Sequence, residues 1–255
     1  MIIKFIQLNV FKGQYLDLLV DFLLKEDADF IVCQEVTIGK FNNYSDKSIN
    51  LFEILKDKLN LEGVFHGDLK IADFDNSLFG NAVFSKRKIS SHYVLPLKTF
   101  RPLTKDELDG SGAVKYRPII PRHLLDANIF VNKKIIHVIS WHGAWTAPPQ
   151  DTKETLRQAK LVRNYLKNLN EPFILGGDLN NVIQSKTVGL INKVANNLML
   201  NSGILQTTNP EVHKISPKGH LIDYIFTSDE FRLKSIRVEQ VTVSDHLPVI
   251  AELEF

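Results

Sequence analysis

Several apolar stretches of this chain stop on a side chain that can bind a metal ion or a phosphate, or carry a proton. PheIleGlnLeu runs into Asn9, PheIleValCysGln into Glu35, IleHisValIleSerTrp into His142, and PheIleLeuGlyGly into Asp178 and Asn180. Asp245 and His246 stand just before the apolar residues LeuProValIle. Each has a plain explanation taken alone: a turn residue, an ion pair, a satisfied core histidine, a turn after Gly176 and Gly177, a cap. Unrelated turns have no reason to share the habit, so the pattern places these residues around one cleft. Carboxylate and amide oxygens are hard ligands, which points to Mg²⁺, with Mn²⁺ as a substitute. No Cys/His cluster suggests structural zinc. Cys33 is the only cysteine, which excludes an internal disulfide.

The elements that must position these residues alternate between strand and helix at the start. Residues 2–10 and 29–36 read as strands, and 14–26 as a helix with Leu16, Leu19, Val20, Leu23 and Leu24 on one face. This β-α-β opening indicates an α/β fold. A helix is expected at 48–59. Strands follow at 63–72, 80–86, 89–97, 113–120, 124–131 and 134–141, with Asn132–Lys133 as a hairpin turn. Residues 152–167 form an amphipathic helix with Asp151 as its N-cap. Strands are expected again at 172–176, 222–227, 235–243 and 247–254. Residues 102–112 read as the longest loop, one that covers a site or is disordered.

The 255 residues are 44% hydrophobic and 24% charged, enough for a sizeable core, and no linker divides them, so residues 1–255 are read as one domain. No apolar run reaches the roughly 18 residues of a membrane span, and no secretion signal stands at the start, so the expectation is a cytoplasmic protein without membrane insertion. Nothing implies an obligate protein partner. The net charge is +2, but residues 84–122 carry nine Lys/Arg against three Asp/Glu. That segment lines an anionic substrate's path or is an ordinary solvated region.

The motifs LeuAsnVal (8–10), CysGlnGluVal (33–36), GlyAsnAlaValPheSerLys (80–86), SerTrpHisGly (140–143), GlyGlyAspLeuAsn (176–180), LeuIleAspTyrIlePhe (221–226) and SerAspHisLeuProVal (244–249) occur in a telling order. It resembles that of the endonuclease/exonuclease/phosphatase superfamily, which includes DNase I-like nucleases, abasic-site endonucleases, sphingomyelinases and inositol-polyphosphate 5-phosphatases. The resemblance implies a four-layer α/β sandwich: two packed mixed β-sheets flanked by helices. It also implies roles. Glu35 would ligate the metal, with Asn9 and Asp245 near it. Asp178 would orient or deprotonate the attacking water, and Asn180 would hold the water or the phosphate. His246 would stabilise the transition state with its imidazole fixed by Asp223, and His142 would contact the phosphate or assist the leaving group.

Arg122 is read as a substrate contact, with a plain surface role as the alternative. Trp145, with Trp141, is read as a stacking wall, core packing being the alternative. His213, Lys214, Lys218 and His220 are weaker candidates for a substrate loop. Phe11 stands where abasic-site endonucleases of the exonuclease III type carry an acid or amide, Val36–Thr37 where they often have ThrLys, and His142 where they tend to use Tyr. The abasic-site assignment is therefore weakened. The leading expectation is a Mg²⁺-dependent phosphodiesterase acting on nucleic acid. The alternatives are a phosphatase or phosphodiesterase for inositol phosphates, nucleotides or phospholipids, and a non-catalytic binding module of the same fold.

Overall fold

The period of two along the first strand sets up two faces. In the computed structural model of the chain, which describes residues 1–41, 48–75, 77–213 and 218–255, β1 (Ile2–Asn9) turns Ile3 and Phe5 into one core and Ile6 and Leu8 into another. β2 (Phe30–Gly39) repeats the split, Phe30 and Val32 against Ile31 and Cys33. Strands apolar on both faces belong inside a sheet, and β1 and β2 lie there side by side in parallel. Their connection, α1 (Leu16–Glu26), buries Leu16, Leu19 and Leu23. Leu24, expected on that face, is half exposed.

The chain continues through β3 (Ile49–Asn50), α2 (Leu51–Leu59), β4 (Glu62–Ile71), β5 (Ser77–Ser85), β6 (Ile89–Lys98), α3 (Lys105–Asp109) and α4 (Ala113–Tyr116). It then forms β7 (Arg122–Val131), β8 (Lys134–His142), α5 (Lys153–Lys167), β9 (Phe173–Asp178), α6 (Lys186–Ile191), β10 (Asn196–Asn197), β11 (Asp223–Thr227), β12 (Arg232–Val238) and β13 (Val249–Glu254). One sheet has the order β12-β13-β1-β2-β5-β4, with β3 also on β2; the other has β10-β11-β9-β8-β7-β6. Both are mixed, because β1–β2 and β8–β9 run parallel while their neighbours run antiparallel. Phe5, Val32 and Val83 of the first sheet share a core with Val138, Ile174 and Ile225 of the second. Helices α1 and α2 close the first sheet's outer face, and α5 and α6 flank the second. The expected sandwich is therefore the observed one.

Several local expectations change. Residues 113–120 are not a strand but α4 followed by a 3-10 turn at Arg117–Ile119. Pro118 and Pro121 remove two N–H donors from this stretch, so a ladder could not be completed there. The expected loop at 102–112 contains α3, opened by a capping box between Thr104 and Glu107. The strand expected at 235–243 ends at Val238. Asp151 does not cap α5; Thr152 does, in a capping box with Thr155. Asp151 instead accepts the Lys186 and Thr187 backbone N–H groups, each at 2.9 Å, and so ties the start of α6 to the foot of α5. Asn132 and Lys133 both have positive φ, 50° and 66°, between paired Val131 and Lys134, as a two-residue hairpin turn requires.

Candidate active site

The two glycines before Asp178 explain how β9 enters the site. A Cβ on Gly176 would lie 2.5 Å from a Val32 methyl and 2.9 Å from the Phe5 ring, so the sheets touch here across a residue with no side chain. A Cβ on Gly177 would lie 2.2 Å from the Trp141 carbonyl oxygen on β8. This close approach carries Asp178 into register with His142 on one side and Asp223 on the other. Three functional side chains thus stand abreast at one end of the second sheet.

Amides hold the first sheet to this row. Gln7 and Gln34 exchange hydrogen bonds at 2.6 and 3.0 Å, and Gln7 Nε2 also donates to Asp223 Oδ1 at 3.2 Å. Gln34 Nε2 reaches Ser140 Oγ at 3.0 Å. Sequence reasoning passed over Gln7 although it alternates with Phe5 and Asn9 on the inward face of β1. An amide on an otherwise apolar inward face was the available signal.

Asp178 is buried. Its Oδ1 accepts the Asn180 backbone N–H at 2.9 Å and its Oδ2 the Asn9 Nδ2 at 3.2 Å. The same Oδ2 lies 3.6 Å from His142 Nε2 and 3.7 Å from His246 Nε2. Burial pushes the carboxyl up to about 7, partly offset by the charge of His246, while Asp223 pushes further upward. The two imidazoles have opposite fates. Against the cost of burial, Asp223, 2.8 Å from His246 Nδ1, and then Asp178 hold His246 well above its ordinary value, in its charged form. Burial first, then the charges of Arg122 and His246, press His142 well below its ordinary value, in its neutral form.

Arg122 is buried rather than on the surface. Its Nε donates to the Gly143 carbonyl at 3.0 Å, and its Nη2 lies 3.4 Å from His142 Nε2. Asn180 adopts a left-handed φ of 52° and extends Nδ2 to the same Gly143 oxygen at 3.4 Å.

Glu35 would point to the helix side if β2 alternated without interruption. A bulge between Cys33 and Val36, with Glu35 at φ 58°, breaks the alternation and leaves Glu35 on the cavity wall. Ser244 Oγ donates to the Asn9 carbonyl at 2.6 Å, which anchors the Asp245–His246 turn to the end of β1. Burial pushes Asp245 up to about 6, with the neighbouring Glu35 carboxylate adding to it and His246 and Lys12 opposing. Glu35, Asn9, Asp245, Asp178, Asn180, His142, His246, Arg122 and Trp145 all border one cavity of about 440 Å³.

Trp141 is buried in the core and forms no wall; Trp145, half-buried, does border the cavity. Lys12, Lys105, Arg117 and His213 also line it. Part of the basic 84–122 segment thus reaches the site, through α3 and the turn after α4. His213 sits with its ring centre 5.4 Å from that of His246. Asn209 N–H to Asp245 O at 2.8 Å and Leu247 N–H to Thr207 O at 2.6 Å staple its loop to the catalytic turn. Lys218 and His220 do not border the cavity, and Lys214 lies outside the described residues.

Two groups of three His or carboxylate donors among the described residues, Asp178–Asp223–His246 and His213–Asp245–His246, have ligand atoms within 4.8 Å of one another. His246 Nδ1 is already engaged by Asp223. The oxygen donors Glu35 and Asp245 fit a hard divalent cation better, because a cation between them relieves the repulsion that raises Asp245.

The sequence profile of the Endonuclease/Exonuclease/phosphatase family matches residues 6–246. No curated protein matches the chain in sequence. Among solved structures, an endonuclease/exonuclease/phosphatase from Bacteroides vulgatus superposes with a TM-score of 0.75 at 17% identity, covering 100% of this chain and 99% of that one. A mannosyl-6-phosphatase from Bacteroides thetaiotaomicron gives 0.71 at 16%, covering 99% and 100%. D. rerio TDP2 complexed with a single-strand DNA product gives 0.72 at 14%, covering 100% and 99%. No helix among the described residues is long and apolar enough to cross a membrane.

Proposed function

Because the chain belongs to the endonuclease/exonuclease/phosphatase family, whose members act on phosphoester bonds, we propose that Asp178, His246 and Asp223 run a divalent-metal-dependent phosphoester hydrolysis in this cavity. The observation that carries the reading is the position of Asp178. One carboxylate oxygen lies between a neutral and a charged imidazole, at 3.6 and 3.7 Å. Asp178 takes a proton from the attacking water, and a carboxyl at about 7 is matched to that task near neutral pH. Asn9 and Asn180 fix its two oxygens. His246, charged and braced by Asp223, faces the phosphoryl oxygens where negative charge builds. His142 lends a hydrogen bond to the phosphate or to the leaving oxygen. Glu35 and Asp245, with the Asn9 side-chain oxygen Oδ1, would hold Mg²⁺, which when bound neutralises charge on the phosphate.

For the substrate, we propose the phosphoester at an accessible nucleic-acid end. The cations Lys12, Lys105 and Arg117 on the cavity wall support it. The second reading is a compact phosphate ester, favoured by a cavity in the size range of small-molecule sites. The test is hydrolysis of a panel of single-stranded and duplex DNA and RNA, nucleotides, sugar phosphates and inositol phosphates, with EDTA and then with Mg²⁺ or Mn²⁺ restored. Turnover should vanish with EDTA and in Glu35→Gln. Hydrolysis that survives both would sink the metal assignment, and no turnover of any ester would favour a binding module.

A further inference from the structure

The outer half of the cavity differs in chemistry from its floor. Phe11, Leu108, Ile120, Trp145 and Pro149 supply apolar surface. Three cations line the same half. The Lys12 ammonium, almost fully buried, pairs with Asp109 at 3.1 Å, and Arg117 pairs with the same carboxylate at 3.2 Å. Two cations therefore share one anion. Lys105 has no acidic side chain within ion-pair distance among the described residues; its Nζ lies 5.6 Å from the Phe74 ring centre. The nearby Asp73 accepts the Lys105 backbone N–H at 3.0 Å and does not border the cavity. Against the single Asp109 carboxylate the wall thus carries two positive charges in excess, of which Lys12 also faces Asp245 of the floor.

Shape adds to charge. The Arg117 guanidinium lies 5.5 Å from the centre of the Trp145 ring, which puts a planar cation and a large aromatic together on one wall. Such a pair suits a flat π-system, and the guanidinium suits phosphate oxygens. A bare sugar finds less here. The hydroxyl of Thr146 is already engaged, donating to the Asn180 carbonyl at 3.0 Å and accepting the Gln150 N–H at 3.2 Å.

We propose that this outer half is a subsite for a nucleotide unit carrying a second phosphate, with the base against Trp145 and the second phosphate against Lys105 and Arg117. The inference rests on the hydrolase reading above and narrows its substrate. The ligand chemistry has two sources, a free nucleoside bisphosphate or the last unit of a strand.

Binding separates the subsite from the chemistry. The Asp178→Asn protein is titrated calorimetrically with adenosine 3′,5′-bisphosphate, AMP, glucose 6-phosphate and a 5′-phosphorylated dinucleotide. The bisphosphate should bind about tenfold or more tighter than AMP, and AMP tighter than glucose 6-phosphate. Lys105→Gln with Arg117→Gln should shrink the first ratio to below about threefold. Trp145→Ala should shrink the second, and Trp145→Phe, which keeps a ring and the fold, should restore it. A dinucleotide as tight as the bisphosphate identifies a strand end as the source; a weaker one identifies the free nucleotide. Equal binding of AMP and the bisphosphate, or of AMP and glucose 6-phosphate, overturns the proposal. Tight bisphosphate binding by a wild-type protein that hydrolyses no ester would instead overturn the hydrolase reading and leave the subsite standing.

Discussion

Adding a single methyl group at Gly177 tests whether the close approach of β8 and β9 builds the site. In Gly177→Ala the new Cβ would start 2.2 Å from the Trp141 carbonyl oxygen, whereas ordinary contact begins at 3.4 Å, so about 1.2 Å must be found. The obstacle is backbone inside a ladder, with no side chain to swing away. The strands must part or twist where Trp141 faces Gly177 and His142 faces Asp178. Overpacking of this kind costs about 1–3 kcal/mol, and for a chain of this length about 2 kcal/mol lowers Tm by roughly 4–8 °C. A misplacement near 1 Å at reacting groups costs about 10²-fold in rate. Calorimetric melting and initial rates on the substrate that the wild type hydrolyses read both quantities. Gly189→Ala is the control: it lies in α6 with nothing within 4 Å of its Cβ position, so it should leave the rate alone and hold or raise Tm. A Gly177→Ala protein with unchanged Tm and a rate within about threefold of wild type would refute the reasoning.

Asp178→Asn should lose about 10²–10⁴ in rate through the missing base. It should melt at or above the wild-type temperature near pH 8, because burial makes the wild-type carboxylate costly there. Asp223→Asn removes the carboxylate 2.8 Å from His246, so the imidazolium should deprotonate at lower pH. The basic limb of the pH–rate profile should move towards acid, and an unmoved limb would count against Asp223 as the brace. Asp151→Ala unties α6 from α5 and should cost about 1 kcal/mol, as a lost cap does, read as a lower urea midpoint with activity within twofold. His137, on β8, is pushed down by burial but pulled further up by Asp126 at 2.7 Å and by Glu171, and its net shift is upward. A raised folded value stabilises fully below the unfolded value of about 6.5 and is lost as pH climbs through the folded one. The stability gap between wild type and His137→Ala should therefore narrow from pH 6 to pH 9.

The central layers were legible because their signals are local. A strand with apolar residues on both faces is interior to a sheet, and both β1 and β2 carry that mark. The helices α1 and α5 announced themselves by spacing. The segment between β6 and β7 misled because β-branched and aromatic residues at 113–120 promise a strand, while Pro118 and Pro121 deny the ladder that a strand needs. Asp151 misled for a different reason. It stands at a helix N-terminus in sequence, but the donors it meets belong to another helix, 35 residues further on. A local rule identified the kind of group and could not see which helix end would receive it.

The candidate site divides along the same line. Residues at the tips of apolar strands could be found one by one, because a ligand-type side chain ending a buried strand is conspicuous. Their electrostatic characters were legible only in part. The resemblance supplied Asp223 as the partner of His246, but nothing in the sequence set Arg122 against His142, so the contrast between a neutral and a charged imidazole emerges only from the fold. Glu35 was legible as a ligand type, but only the bulge with its positive φ brings it to the cavity; regular alternation would have turned it to the helix side. Of the wall residues, Lys105 and Arg117 fell inside the basic 84–122 segment read as a substrate path or a solvated region, but neither was singled out, and Lys12 carried no signal, because no strand points these side chains inward. Lys105 and Arg117 reach the cavity through α3 and the turn after α4, Lys12 through the 3-10 turn after β1, and Asp109 pairs with both Lys12 and Arg117. The floor of this cavity is therefore encoded by periodicity and its wall by long-range pairing. A change of substrate can evolve in the wall while the floor's spacing stays the same.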